Sequence, residues 1–258
     1  MRRFAQPWLA AAALFGFLGG CVPAAADDLV KFASAGRGEP IQGYLSEPKG
    51  KGPFPGVVLL HTCLGLPDER ASIGERIAAW GYVALFVDDF ATRGLKETCA
   101  VDFKPALPDA YGALAYLASQ PFVDPARIAA VGFSQGGDTA LKIAAGAGAA
   151  GQEAAFRAAA AFYAPCANLA DGALDIPTLI LVGAKDEVTP AADCAELTRR
   201  QAPGVAKLVV YPGAAHAFDL PEFGAGRQVM GMRLAYDRNA AQRSWGELRR
   251  FLAARLAR

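Results

Sequence analysis

From residue 57 onward, short apolar runs alternate with stretches of helical periodicity. Residues 57–60, Val-Val-Leu-Leu, read as a buried strand, residues 71–80 as a helix stopped by Gly81, and residues 82–87 as the next strand. A helix is expected over 109–119 with Pro121 beyond it, then a short strand over 128–131 and a helix over 136–145. Apolar runs at 159–163, 178–182 and 207–211 read as three further strands. A helix near 191–200 separates the last two, and an amphipathic helix over about 236–256 closes the chain. This order predicts a doubly wound α/β fold, a mostly parallel central sheet flanked by helices on both faces. Ligands in such folds bind beyond the carboxyl ends of the strands.

The first residues follow a different pattern. Arg2 and Arg3 precede a short apolar run over 8–18, and Ala24-Ala25-Ala26 offers a small-residue cleavage site before Asp27. The run is shorter than the ~20 apolar residues a spanning helix needs. Residues 1–26 therefore read as a signal peptide and 27–258 as the functional domain, exported to the periplasm or secreted. Leu18-Gly19-Gly20-Cys21 also resembles a lipoprotein site, with Cys21 as the anchored residue.

Composition narrows the function. The chain is 53% hydrophobic and 20% charged, enough apolar material for a large core. Its net charge is +1 without a basic block, so nucleic acid has no electrostatic footprint, and no stable protein partner is implied. Cleavage after Ala26 leaves Cys63, Cys99, Cys166 and Cys194. Four cysteines in an oxidising compartment fit two disulfides in any of three connectivities. Zinc is disfavoured, because the sequence has no CxxC pair and no histidine near two cysteines.

Gly132-Phe133-Ser134-Gln135-Gly136 is a G-x-S-x-G segment between an expected strand and an expected helix. A serine there sits on a tight turn with its hydroxyl projecting at the head of a helix. That hydroxyl needs a base to become a nucleophile. Of the two histidines, His61 and His216, only His216 follows the serine in the order Ser, Asp or Glu, His. His61 is read as a hydrogen-bonded support for the loop after the first buried strand. The acid that steadies the imidazole is Asp186, with adjacent Glu187 as the competitor. An oxyanion hole needs two backbone N–H groups. Gln135 supplies one, and Cys63, or else Thr62, supplies the other.

Taken together, these segments resemble the dienelactone hydrolase family of α/β-hydrolases. The match rests on His61-Thr62-Cys63-Leu64-Gly65-Leu66, Gly81-Tyr82-Val83, Asp88-Asp89-Phe90, Gly132 to Gly137, Gly183-Ala184-Lys185-Asp186 and Tyr211 to Phe218. The resemblance implies a hydrolase of small esters or lactones that works through an acyl-enzyme, without metal or organic cofactor. The alternatives are a peptidase or thioesterase on the same fold, or a non-catalytic exported binding protein. The best-known family members use a cysteine nucleophile and a first-loop glutamate, where this chain has Ser134 and Thr62. The resemblance assigns substrate binding to Arg93, whereas Asp219 and Leu220 stand where a second arginine belongs. Exported relatives with a serine nucleophile imply the pairs Cys63–Cys99 and Cys166–Cys194.

Overall fold

A computed structural model describes Met1 and residues 27–36, 38–169 and 172–257. The expected leader, with Arg2, Arg3, Cys21 and Ala24 to Ala26, lies outside the described residues.

The strands of the main sheet are β1 (Asp28–Ala33), β2 (Pro40–Ser46), β3 (Phe54–Leu60), β4 (Val83–Asp88), β5 (Val123–Phe133), β6 (Ala158–Phe162), β7 (Thr178–Gly183) and β8 (Ala206–Tyr211). Among the described residues they form one eight-stranded sheet in the order β1-β2-β4-β3-β5-β6-β7-β8. The β1–β2 and β2–β4 pairs are antiparallel, and every pair from β4–β3 to β7–β8 is parallel. The helices are α1 (Arg70–Ala79), α2 (Ala106–Ala118), α3 (Gln135–Ala144), α4 (Ala191–Arg199) and α5 (Arg238–Arg255). The expected α/β architecture is present, with two antiparallel strands added at one edge.

The apolar strands are continuous because both sheet faces are covered. Along β3, Val57 and Leu59 join Ile73 and Ile77 of α1 and Trp245 and Leu248 of α5. Val58 and Leu60 point the other way, toward Ala110, Leu114 and Leu117 of α2 and Ile143 of α3. Leu141 of α3 and Leu197 of α4 cover Ile180 and Val182 of β7 on that second face. Two elements carry no sequence signal of their own. The β1–β2 hairpin lies at the sheet edge with β1 half exposed, so its apolar residues never form a run. The second hairpin, β9 (Arg227–Val229) and β10 (Met232–Leu234), has three-residue strands, too short for a period. It turns through Met230 and Gly231, both at positive φ, and Ala235 N–H donates to His216 C=O at 3.1 Å. This hydrogen bond fixes the hairpin against the histidine loop.

Candidate active site

Ser134 occupies the step from β5 into α3, at φ 51° and ψ −111°. A non-glycine residue there stores strain of order 1–3 kcal/mol. The surrounding packing enforces it. Ser134 N–H donates to Phe162 C=O at 3.0 Å, and Gly136 N–H donates to His61 C=O at 3.0 Å. The flanking glycines are a close-approach requirement, since a Cβ on Gly132 would collide with the Gly136 carbonyl and one on Gly136 with the Leu60 carbonyl. The G-x-S-x-G spacing is thus a steric consequence of the turn.

Asp186 follows β7 and His216 follows β8, and both side chains are buried beside Ser134. The Ser134 Oγ to His216 Nε2 distance is 2.9 Å, and His216 Nδ1 lies 2.8 Å from Asp186 Oδ2. A carboxylate only accepts, so Nδ1 carries the proton and Nε2 presents a lone pair to the serine hydroxyl. Asp186 Oδ1 accepts from the Val188 and Thr189 N–H groups at 2.9 and 2.8 Å, and Oδ2 also accepts from the Thr189 hydroxyl at 2.9 Å. Glu187 points to solvent, which resolves the choice of acid. Thr189 escaped the sequence reading. An Asp-x-x-Thr spacing, which lets an Asp side chain cap the backbone two and three residues on, was its available signal.

The oxyanion candidates also lie at the serine. Ser134 and Cys63 line a common pocket on one side, and on the other they are joined by Gln135. Among the described residues the N–H groups of Cys63 and Gln135 have no acceptor. Buried Thr98 ties the two donors together: its N–H donates to Cys63 C=O at 2.8 Å and its hydroxyl to Gln135 Oε1 at 2.9 Å. Thr62 turns its hydroxyl inward to accept from Leu64 N–H at 3.1 Å. His61 supports this loop as expected. Its Nδ1 meets Thr62 C=O at 2.7 Å, and Nε2 lies 2.7 Å from Asp89 Oδ1, an ion-pair contact off the hydrogen-bonding line. Burial pulls its pKa down, but the Asp89 carboxylate outweighs that and the net shift is upward.

Disulfides join Cys63 to Cys99 and Cys166 to Cys194. The first spans 36 residues and holds the Cys63 loop against the Thr98 segment. Closing a loop of that length restricts the unfolded chain by about 3–4 kcal/mol. Cys99→Ser, which keeps the Cys63 amide, should lower stability by that amount. It should also lower kcat by about 10- to 100-fold, approaching the loss of one oxyanion donor. Melting and steady-state rates with and without reductant check this, and unchanged kcat would separate the disulfide from the site.

Arg93 requires a correction. It lines neither pocket at Ser134. Its guanidinium grips the fully buried Asp109 carboxylate of α2 through two hydrogen bonds of 2.8 and 3.1 Å, and it also reaches Glu39 at 3.2 Å and Asp89 C=O at 2.7 Å. Both terminal nitrogens are engaged in holding the β4 loop to α2 and to Glu39. Leaving Asp109 without it would strand a buried charge, so the structure assigns Arg93 to scaffolding and not to substrate.

Two residues behind His216 had no role in the site assigned from the sequence. The Tyr163 ring stands edge-on to the imidazole at 4.8 Å, and its hydroxyl donates to Asp219 Oδ1 at 2.8 Å. Burial, then the charge of Asp219, holds the Tyr163 phenol well above its usual range. Burial pushes the Asp219 carboxyl up to about 6, against the opposing hydrogen bond from Tyr163. Between about pH 4 and 6 the folded protein therefore keeps a proton that the unfolded chain has released. That favours folding in acid, and the advantage is lost as pH rises through about 6. Asp219→Asn, which still accepts from Tyr163, should gain stability relative to wild type between pH 4 and 7.5. The expected gain is up to about 3 kcal/mol. Chemical denaturation at both pH values measures it, and a pH-independent difference would refute the assignment.

The dienelactone hydrolase family model matches residues 41–256. The chain belongs to that family. Among curated proteins, esterase FrsA of Escherichia coli K12 is 32% identical over 107 residues, 42% of this chain and 26% of that protein. The chain thus spans about a quarter of the length of these relatives. Among solved structures, a dienelactone hydrolase-like promiscuous phosphotriesterase from metagenomic libraries superposes with a TM-score of 0.70 at 24% identity, covering 90% of this chain and 100% of that one. The dipeptidyl peptidase 4 of Porphyromonas gingivalis superposes at 0.63 with 15% identity, covering 90% and 36%. These likenesses establish the fold. They span different reactions, so the chemistry must be argued from the site.

Proposed function

We propose that this protein is a serine hydrolase that cleaves carboxylic esters or lactones of small substrates through an acyl-enzyme. The observation that carries the reading is the continuous relay from Ser134 Oγ to His216 Nε2 at 2.9 Å and from Nδ1 to Asp186 Oδ2 at 2.8 Å. Ser134 Oγ attacks the ester carbonyl carbon as His216 Nε2 takes its proton. The carbonyl oxygen becomes an oxyanion facing the Cys63 and Gln135 N–H groups, at the head of α3 where the helix dipole favours negative charge. When the tetrahedral species collapses, the C–O bond to the alcohol breaks and His216 returns the proton to that leaving oxygen. A water molecule then attacks the acyl carbon, giving its proton to Nε2. The acid departs as Ser134 recovers its hydrogen. Asp186 stabilises the imidazolium in both halves. Membership of the family and the likeness to esterase FrsA support the same reaction class.

The test is a panel of p-nitrophenyl esters and simple lactones, run beside a fluorophosphonate probe. Turnover and labelling confined to Ser134 are expected. A protein that neither labels nor turns over any member is not a serine hydrolase.

The reading extends to location. Residues 27–258 would act as one exported catalytic domain after removal of the leader, in the periplasm, secreted, or held at a membrane through Cys21. Two disulfides support an oxidising compartment. Fractionation with N-terminal sequencing of the mature protein decides it: a cytosolic chain beginning at Met1 would exclude export.

A further inference from the structure

Two openings of unlike size and chemistry meet at the Ser134 hydroxyl. The smaller, about 50 Å³, lies between the loops after β3 and β8 and is walled by Leu64, Leu66, Ala217, Leu220, Phe223 and Met232. The larger, about 710 Å³, opens above α2, α3 and the loop after β6. Ser134, Cys63 and Met232 are the residues common to both. Met232, brought in by the β9–β10 hairpin, is thus the partition between them.

Size limits what the small pocket takes. It has room for roughly two to four non-hydrogen atoms. Its walls are mostly carbon, with Thr62, Glu222 and the catalytic Ser134 and His216 as the polar members, so a polar group set against the apolar wall would lose hydrogen bonds to water without replacement. It suits an apolar group of one to three carbons.

Charge limits what the groove takes. Asp102 and Asp138 face it together with Lys104 and Lys142, so opposite charges balance. Lys142 is already paired with Asp138 at 2.7 Å. The wall carries no excess sign to select an ionic ligand. It does carry the Asn168 amide, hydrogen-bonded to Asp138 at 3.1 Å, the Thr139 hydroxyl and the half-buried ring of Phe103. Planar polar groups beside an aromatic face are the chemistry that binds hydroxyl-bearing rings: the amide and carboxylate serve both donors and acceptors, and the ring covers C–H faces.

From this we infer that the substrate is an ester joining a one- to three-carbon apolar group to a bulky, uncharged, hydroxyl-rich group. The inference rests on the serine hydrolase reading above and names the substrate class of that site. Two kinds of molecule share this chemistry: a sugar carrying a short acyl group, and a short alkyl ester of a polyhydroxy acid. His216 Nε2 serves either, since its proton goes to the departing alcohol oxygen in both.

The experiment has three arms. First, p-nitrophenyl esters from acetate to decanoate should show kcat/KM falling at least tenfold between butyrate and octanoate. Second, an acetylated methyl glycoside and the methyl ester of a sugar acid are compared with cyclohexyl acetate and methyl cyclohexanecarboxylate. At least one hydroxylated member should exceed its apolar counterpart tenfold in kcat/KM, and which one does so tells the two sources apart. Third, Met232→Ala, with Leu66→Ala as a second route to a larger small pocket, should raise the octanoate-to-acetate ratio of kcat/KM at least tenfold, once melting has shown each variant folded. Octanoate turned over as well as acetate by wild type would overturn the inference. So would equal or better turnover of both cyclohexyl esters. A protein that labels at Ser134 yet behaves so retains the hydrolase reading and loses only the substrate class. One that fails to label loses both.

Discussion

Ser134→Ala should lower kcat for p-nitrophenyl acetate by about 10⁶-fold and abolish fluorophosphonate labelling. The alanine leaves His216 and Asp186 in their hydrogen bond and both candidate oxyanion donors in place, so only the nucleophile is missing. What survives should be binding and oxyanion stabilisation of attack by water. The variant should stay folded, because the serine hydroxyl makes one protein hydrogen bond, to His216 Nε2. A companion substitution isolates the cost of the turn. At φ 51° and ψ −111° both serine and alanine are strained, whereas glycine is not. Ser134→Gly should therefore be more stable than Ser134→Ala by about 1–2 kcal/mol, at equal inactivity. Activity retained in the alanine variant would remove Ser134 from the mechanism. Equal stability of the two variants would remove the strain argument alone.

Asp186→Asn should lower kcat by about 10⁴-fold while leaving the fold intact. The reason lies in how completely the carboxylate is used. One oxygen accepts from two backbone N–H groups, of Val188 and Thr189, and the other from the Thr189 hydroxyl and His216 Nδ1. In asparagine the amide oxygen must serve the two backbone donors, which cannot turn away. The NH2 group then faces His216 Nδ1. The imidazole meets that donor by moving its proton to Nε2, where it points at Ser134 Oγ and has no lone pair to offer. The Thr189 hydroxyl is free to rotate and accept from the new amide, so little stability is lost. A kcat within tenfold of wild type would mean that Asp186 does not set the tautomer. A large fall in melting temperature would mean that the effect is structural.

Both predictions use residues whose roles could be read along the chain, but the arguments for their size could not. The G-x-S-x-G segment, the Asp after one apolar run and the His after the next are local facts. The turn needs Gly132 and Gly136 on steric grounds, and strands such as β4 and β7 announce themselves by a run of residues buried on both sides. The choice of Asp186 over Glu187 needed coordinates, because neighbours in sequence face opposite environments, one inside and one in solvent. Arg93 shows the same limit with the opposite result. Its position after β4 suited a substrate arginine, but α2 places buried Asp109 opposite it and satisfies the guanidinium there.

The sequence alone determined the order of β3 to β8 and α1 to α5, the three chemical groups and the loops that carry them. These depend on periodicity over a few residues, on turn chemistry and on the order of elements along the chain. Tertiary structure alone decided that His216 joins the donors on Asp186 and which ring stands behind His216. It also decided how Thr98 couples the two candidate oxyanion donors, and where Met232 divides the space around Ser134. Those contacts join residues tens of positions apart. They are fixed by strand pairing and by the filling of a shared core, quantities that no local pattern of residues records.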